Sequence, residues 1–372
     1  MNTYLLTTET EFKALKKEWS SLHASVKNQS PFLTWEWMYQ WWQSYATKLP
    51  HTPQLSIITS RDSTGALQSV WPLFIGTENS SIGKIKILKF IGTEFESSDY
   101  LDIIADSKMT KNQYETIINS DVFKKVIASV DKIIFKNVLE DSIINRYKSS
   151  FKYFRWQQQN AICPFITLPA DRDDLLNSLS KNMKSSLRRT FNKLQKDPDT
   201  RLRTIDSIDD IDRAVKNLFD LHGARFDEKE ENTKFIFETR GAFHQEISKI
   251  FLEKKWLKLY EVLYKDTVIG SFYCYHFSDI LMYVQAGFNP DFSQYALGNQ
   301  LILHAISDAI NLNCTTFDFM RGDEAYKYKW TSSERYLYTL EYGCSGRGKV
   351  QLAKKTISKN IKKRIHKVML LG

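Results

Sequence analysis

Residues 283–330 read YVQAGFNPDFSQYALGNQLILHAISDAINLNCTTFDFMRGDEAYKYKW and combine three secondary-structure patterns. Residues 283–288 predict the end of a strand, and a short second strand is predicted over 315–320. Between them, apolar and polar residues alternate with helical spacing. The apolar face comprises Ile302, Ala305, Ile306 and Ala309, and the polar face Gln300, His304, Ser307, Asp308 and Asn311. The stretch therefore predicts a strand, a turn with glycine, an amphipathic helix and a second strand.

The start of this helix is a candidate anion site. Gly298 lies where the helix begins, and a residue without a side chain lets a ligand approach the backbone closely. The first N–H groups of a helix have no partner within it, and the helix dipole favours an anion there. We therefore predict an anion site at Leu297, Gly298, Asn299 and Gln300; the alternative is an ordinary helix start.

Two segments resemble one known family. The string FDFMRGDEAYKYKW, residues 317–330, resembles the end of the acetyltransferase domain in the CelD-like, or BioF2-like, branch of the GNAT superfamily. Residues 31–42, PFLTWEWMYQWW, resemble the tryptophan-rich helix that opens these proteins. The lysine and spaced aromatic residue near the end also resemble Fem-type peptidyltransferases. The chain departs from the common GNAT pyrophosphate pattern, because Gln294 lies one position too early relative to Gly298.

The resemblance implies a mixed α/β (α+β) fold of two GNAT-like halves. Each half is expected to contain a mixed, mainly antiparallel sheet flanked by helices. We predict an N-terminal GNAT-like domain over 1–165, a C-terminal acyltransferase domain over 166–346 and a basic amphipathic helix over 347–372. The implied co-substrate is acetyl-CoA or another acyl-CoA, with its pantetheine arm beside the strand near 283–286 and its pyrophosphate at the helix start.

Acyl transfer to an amine needs a proton acceptor and a donor to the developing oxyanion. Asp318 and Asp323 are predicted as the base, with Glu324 or Glu261 in reserve. Lys327 or Tyr326 is predicted as the group that stabilises negative charge. The predicted acceptor-binding residues are Arg321, Glu324, Tyr326, Trp330 and Trp37. Two structural alternatives stay open: an ion pair of Asp318 with Arg321, and a core role for the tryptophan-rich helix. Because no serine or cysteine nucleophile motif is present, direct attack by the amine is favoured.

The net charge of +9 is unevenly distributed along the chain. Residues 347–372 contain nine Lys and Arg and no Asp or Glu, so the preceding residues are balanced in charge. A neutral body is not typical of a nucleic-acid-binding protein. No run of about 18 apolar residues and no signal peptide are present, which predicts a cytoplasmic protein. The four cysteines are widely spaced and the histidines scattered, so no metal site is predicted.

Two helices are predicted to be strongly basic. Residues 181–196 place Lys181, Lys184, Arg188 and Arg189 at helical spacing. These cations are predicted to bind the phosphates of CoA or of a nucleotide-linked acceptor; the alternative is a solvated helix face. The tail repeats Val350, Ala353, Ile357, Ile361, Ile365 and Val368 at three or four residues, with lysines between them. This pattern predicts peripheral contact with anionic lipid at the inner face of the membrane. The alternatives are a helix packed on the protein itself and a nucleic-acid contact.

The predicted function is N-acyl transfer, most simply N-acetyl transfer, from acyl-CoA to an amine. From the family association, the acceptor is expected to be a small molecule such as an amino sugar, or a polysaccharide or cell-envelope precursor. The second hypothesis is a Fem-like transferase that uses aminoacyl-tRNA, the one case in which nucleic acid is a partner. The third is a non-catalytic scaffold for polysaccharide synthesis.

Overall fold

The computed structural model describes residues 1–26, 30–95, 98–106, 108–223 and 231–369, with the backbone alone over 231–238 and 358–369. The chain forms two compact units. The first consists of Met1–Ala161 and Tyr336–Gly372, and the second of Ile162–Arg335.

Helices and strands alternate in groups along the chain. The helices are α1 (Glu9–Ala14), α2 (Lys16–Ser25), α3 (Trp35–Tyr45), α4 (Lys111–Ile118), α5 (Asp121–Ala128), α6 (Ile143–Arg146), α7 (Arg172–Ser178), α8 (Lys181–Lys196), α9 (Ile211–Gly223), α10 (Glu231–Glu253), α11 (Leu297–Asn311) and α12 (Gly346–Met369). The strands are β1 (Asn2–Leu6), β2 (Gln54–Leu55), β3 (Ile57–Arg61), β4 (Leu67–Trp71), β5 (Leu73–Ser80), β6 (Gly83–Phe90), β7 (Ile104–Ala105), β8 (Lys132–Leu139), β9 (Phe154–Thr167), β10 (Thr200–Thr204), β11 (Leu257–Tyr264), β12 (Thr267–Phe277), β13 (Ile280–Phe288), β14 (Thr316–Asp318) and β15 (Glu334–Gly343). Each unit thus mixes both kinds of element.

The first unit is built on two strand arrays. One has the order β1-β3-β4-β7 and is antiparallel throughout. The other has the order β15-β8-β6-β5-β2, in which β6 and β8 run parallel. A parallel pair needs a long crossover, and the chain between β6 and β8 contains α4 and α5. This sheet is therefore mixed but mainly antiparallel.

The tryptophan-rich helix α3 belongs to the core of the first unit. Trp37 is 1% exposed, its Nε1 donates to Ser98 Oγ at 2.8 Å, and its ring meets Phe32 edge-on at 4.9 Å. Trp41 is also buried. Burial of an indole with its N–H paired is how tryptophan stabilises a core. This burial favours the core alternative over the predicted contact of Trp37 with the acceptor.

The second unit has the strand order β10-β11-β12-β13-β14-β9. Its only parallel pair among the described strands is β13 with β14, and α11 forms the crossover between them. Alternate residues of β12 and β13 face opposite sides of the sheet. Gly287 packs closely against α9 on one side, while Gly270 faces Leu297 and Leu301 of α11 on the other. The predicted fold class, a mainly antiparallel mixed sheet flanked by helices, is confirmed.

The described helices include none that is long and apolar enough to cross a bilayer.

Candidate functional site

An open strand edge in the second unit is the centre of the candidate site. Strand β13 pairs with β14 only over Ile280–Met282, opposite Thr316–Asp318. The chain then leaves β13, because Phe319 N donates to Pro164 O at 3.0 Å and Gly322 N donates to Ile162 O at 2.8 Å. Among the described residues, no strand therefore pairs with that edge of β13 beyond Met282. Such an edge can pair with an extended ligand.

A β-bulge lies where this open edge begins. Tyr283 pairs with Cys274 and Gln285 with Tyr273, so Val284 is an extra residue in β13. Further along, Asn289 N donates to Ile269 O of β12 at 2.9 Å. Because successive residues turn their peptide groups to opposite edges, the peptide group of Ala286 turns away from β12, towards the open edge.

Helix α11 starts just beyond β13 and has free N–H groups at its end. Ala296 precedes it in the left-handed region with φ 48° and provides no side-chain cap. Asn299 N and Gln300 N both donate to Ala296 O, whereas no described residue accepts from the N–H of Leu297 or Gly298. A Cβ on Gly298 would be 3.4 Å from the nearest atom of the Phe288 ring, an ordinary contact. Packing alone does not require glycine here, which favours a ligand as the reason.

Helix α8 is held against the start of α11 by hydrogen bonds from the side chains of Gln300 and Tyr295. Gln300 Nε2 donates to Leu187 O at 3.1 Å and to Thr190 Oγ1 at 2.6 Å. Tyr295 OH donates to Asp197 Oδ2 at 2.5 Å, just after α8. The side chain of Gln300 therefore positions α8, which favours a structural role over the predicted contact with the pyrophosphate.

The outer face of α8 is cationic and lacks carboxylate partners in the described part of the chain. The helix has no acidic residue, and its basic residues are Lys181, Lys184, Arg188, Arg189, Lys193 and Lys196. The Nζ of Lys193 lies 5.6 Å from the ring centroid of Tyr295, close to the start of α11. The helix therefore brings positive charge to the same place as the free N–H groups.

Asp318, predicted as a base, is completely buried at the end of β14. Its Oδ1 accepts from Met320 N at 2.8 Å, and Met320 adopts a left-handed φ of 56°. Its Oδ2 lies 3.6 Å from Nη1 of Arg335, whose guanidinium stacks on Phe165. The carboxylate thus stabilises the turn where the chain leaves β13, which favours a structural role. The ion pair that the structure describes for Asp318 is the one with Arg335.

Lys327 holds the loop that follows. Its side chain is buried, and Nζ donates to the carbonyl oxygens of Arg321 at 2.9 Å and of Met320 and Gly322 at 3.3 Å. Glu324 Oε2 lies 3.0 Å from the same ammonium. Since an ammonium has three protons, these four acceptors occupy it fully. Lys327 therefore clamps the loop, which favours a structural role over the predicted one as oxyanion donor.

The remaining predicted residues of this loop differ in exposure. Arg321, Asp323 and Glu324 are exposed, and Glu324 also pairs with Lys327. Trp330 is 5% exposed and packs in the core of the second unit, which favours a packing role over the predicted acceptor contact. Tyr326 hydrogen-bonds with Tyr283, and burial, followed by this neighbour, raises the pKa of Tyr283 well above its ordinary value. Tyr283 therefore stays a neutral hydroxyl next to the bulge.

His222, at the end of α9, was missed by sequence reasoning. Its Nδ1 lies 3.1 Å from Ala286 O, the carbonyl that turns to the open edge, and 2.5 Å from the Gln285 side-chain amide. Donation from Nδ1 to Ala286 O places the ring proton on Nδ1, a tautomer in which the Gln285 amide has to turn its oxygen, instead of its Nε2, towards the ring. The lone pair is then on Nε2, as a general base requires.

The reserve base Glu261 has another role. It is fully buried on β11, where Oε2 accepts from Arg203 Nε at 2.8 Å and Oε1 accepts from Asn217 Nδ2 at 3.0 Å. Arg213 Nη1 lies 3.5 Å from Oε2. A carboxylate with this many donors holds β11 to the neighbouring elements, which favours a structural role for Glu261. Within the described ranges, no group of three or more His, Cys, Asp or Glu side chains could hold a metal ion.

One family model matches this unit. Residues 181–328 match the model described as the acetyltransferase (GNAT) domain. The match begins at α8 and ends in the loop clamped by Lys327, so it includes the open edge and the start of α11. It supports acyl transfer as the general chemistry of the second unit. No curated protein matches the chain in sequence.

Solved structures share the fold of the whole chain. The crystal structure of FemX is similar with a TM-score of 0.62 and 11% identity, covering 95% of this chain and 99% of that chain. A conserved protein of unknown function from Bacteroides thetaiotaomicron has a TM-score of 0.55 and 9% identity, with 91% and 100% covered. At such identities the likeness concerns the fold alone.

Proposed function

We propose that the second unit transfers an acyl group from an acyl-CoA, most simply acetyl-CoA, to an amine. The observation that carries this proposal is the open edge of β13 beyond Met282, which leads directly to the uncapped start of α11. An extended arm that ends in a diphosphate fits such an edge followed by a helix N-terminus.

The donor would extend along β13 with its acyl end at the bulge. Ala286 offers its peptide group to the pantetheine arm, and the N–H groups of Leu297 and Gly298 point to the pyrophosphate. Lys193, in the last turn of α8, lies where further phosphate charge would come. A charge-assisted hydrogen bond to phosphate is about twice as strong as a neutral one. The site therefore favours a ligand with phosphate groups over a neutral ligand.

The chemistry is one displacement at the thioester carbonyl. The amine nitrogen attacks the carbonyl carbon, and the C–N bond forms as the C–S bond breaks. The amine proton passes to His222 Nε2, and the sulfur leaves as a thiolate that takes up a proton. Peptide groups at the Val284 bulge and the neutral Tyr283 hydroxyl are donors close to the developing oxyanion. The products are an amide and free CoA.

The proposed acceptor is an amino sugar, alone or within a polysaccharide or cell-envelope precursor. The loop after β14 supports this choice, because it exposes Arg321, Asp323 and Glu324 together while Lys327 holds its backbone. Mixed charged side chains on a fixed loop suit an amine carried on a hydroxyl-rich ring.

Titration calorimetry with acetyl-CoA tests the donor, and CoA release with glucosamine as model acceptor tests the reaction. A chain that binds neither acetyl-CoA nor aminoacyl-tRNA would instead be a scaffold.

Gly298→Glu is expected to weaken acetyl-CoA binding at least about tenfold, or about 1.4 kcal/mol. The added carboxylate would repel the pyrophosphate at the helix start, while the space beside Phe288 lets the variant fold. Calorimetry of the folded variant measures the change. Gly298→Gln, which has the same size without the charge, is the matched control and should lose less. Affinity within about twofold of the parent in Gly298→Glu would exclude this site for the pyrophosphate.

A second function, Fem-like transfer from aminoacyl-tRNA, is favoured by one observation. The unpaired basic face of α8 extends over 16 residues, about 24 Å, which is longer than a pyrophosphate needs. If tRNA binds there, Lys181→Gln/Arg188→Gln/Arg189→Gln should weaken binding of charged tRNA at least about tenfold and reduce its salt dependence. Acetyl-CoA affinity should change less than threefold. Electrophoretic mobility shifts with charged tRNA measure this, and an unchanged shift in the triple variant would remove the support from α8.

A further inference from the structure

Helix α12 is attached to the first unit by one of its faces. Leu352 is 0% exposed, and Lys355 pairs with Glu341 while its Nζ lies 3.7 Å from the ring centroid of Trp156. At the helix start, Gly348 packs so closely against Asp131 O that a side chain would collide with it. The first three turns are therefore firmly docked through the side of the helix that contains Leu352.

The opposite side of α12 carries apolar side chains that face solvent. Val350 is 48% exposed and Ile357 58%, although both are large and hydrophobic. At 100° per residue they lie within about 60° of Ala353 and of each other, and Leu352 lies roughly opposite. The apolar stripe Val350, Ala353 and Ile357 is thus not the face that packs on the protein.

The sequence continues this stripe through the rest of the helix. Ile361, Ile365 and Val368 recur at the same helical position, and the helix extends to Met369. Residues 347–372 contain nine basic and no acidic residues, of which Lys349 and Lys354 are exposed on the described turns. The exposed side of the described turns therefore combines apolar side chains with lysines, and the sequence repeats this combination to Val368.

We propose that the stripe Val350, Ala353 and Ile357, extended along α12, docks on the surface of an anionic lipid bilayer. A helix in the plane of the interface inserts its apolar face between headgroups, while flanking lysines meet lipid phosphates. A nucleic acid would use the charges but not the exposed valine and isoleucine. A second copy of this chain would bring nine more basic residues against the first nine. The proposal is independent of the chemistry of the second unit.

Vesicle co-sedimentation of the full chain tests it, with phosphatidylcholine/phosphatidylglycerol (3:1) and pure phosphatidylcholine vesicles. We expect binding to the anionic vesicles alone, weakened in high salt. Val350→Gln/Ile357→Gln should lower the bound fraction at least about fivefold, and Lys349→Gln/Lys354→Gln at least about threefold. Both pairs are exposed, so thermal unfolding should be unchanged. Lys124→Gln/Lys125→Gln removes as much positive charge as Lys349→Gln/Lys354→Gln, but from exposed positions of α5. This control should bind the anionic vesicles like the parent.

Three results would overturn the proposal. Equal recovery of parent and Val350→Gln/Ile357→Gln on anionic vesicles would show that the apolar stripe is not used. Binding of duplex RNA or DNA that depends on Lys349 and Lys354 but not on Val350 and Ile357, without vesicle binding, would assign the helix to nucleic acid. A dimer that dissociates in Val350→Gln/Ile357→Gln, measured by light scattering without lipid, would assign the stripe to a second copy.

Discussion

His222→Gln is expected to lower kcat for acetyl transfer by about 10²–10⁴-fold, the usual cost of removing a general base. Glutamine can still donate a hydrogen bond to Ala286 O, which is 3.1 Å from the imidazole Nδ1, but it cannot accept the amine proton. The Kd for acetyl-CoA should therefore stay within about threefold of the parent. The assay is CoA release with glucosamine as acceptor, with calorimetry for the binding step.

Two further variants make this result specific. His222→Ala should recover activity when imidazole is added to the solution, which a merely structural role would not permit. Asp323→Asn is the matched control from the exposed loop after β14, and we expect a change of only a few-fold. If His222→Gln kept full activity while Asp323→Asn or Glu324→Gln lost it, the loop would provide the base and the assignment to His222 would be wrong.

Lys327→Met is expected to destabilise the protein by about 3 kcal/mol. Methionine keeps most of the apolar stem but removes the ammonium, and three carbonyl oxygens of residues 320–322 then lose their donor. Lys327 is only 2% exposed, so water does not readily replace it. Glu324 is 55% exposed, so its own loss of a partner adds little. Urea unfolding followed by circular dichroism measures the difference.

Lys329→Met is the control for this variant, because the residue lies two positions further on and is exposed. It should change the free energy of unfolding by less than about 0.5 kcal/mol. If Lys327→Met unfolded like the parent and lost catalysis instead, the ammonium would serve the reaction as originally predicted. If Lys327→Met lost both stability and catalysis, the affinity for acetyl-CoA would be measured at a temperature where the variant is folded. A residue that only clamps the loop leaves this affinity intact.

Much of the local structure of the second unit was predictable from the pattern of residues 283–330. The predicted helix that begins at Leu297 is α11, and the strand that ends at Phe288 is β13. The short strand predicted over 315–320 ends earlier, at Asp318. Beyond Asp318 the backbone bonds to Pro164 and Ile162, which are more than 150 residues away in sequence, and no local pattern reveals that change of neighbour.

The roles of individual side chains were harder to predict, because the same residue types serve cores and sites. Trp37 and Trp330 have the size of ligand-stacking residues, yet both are buried by residues from distant segments. Lys327 and Gln300 have suitable donors for a ligand, yet the loop carbonyls and α8 occupy them. His222 has no motif around it, and only the packing of α9 on β13 brings it to Ala286 O.

Hydrophobic periodicity, a glycine at a helix start and a lysine-rich repeat are local properties, so the residues alone were enough for the position of α11 and the basic tail, while the fold class came from the family resemblance. Which groups are buried, and which atoms meet, depends on segments far apart in sequence. The departure of β14 from β13 makes the open edge, and the docking of Leu352 leaves Val350 and Ile357 exposed. Desolvation and pairing act between neighbours in space, so the tertiary structure alone decided which polar groups are engaged in packing and which remain available for a ligand.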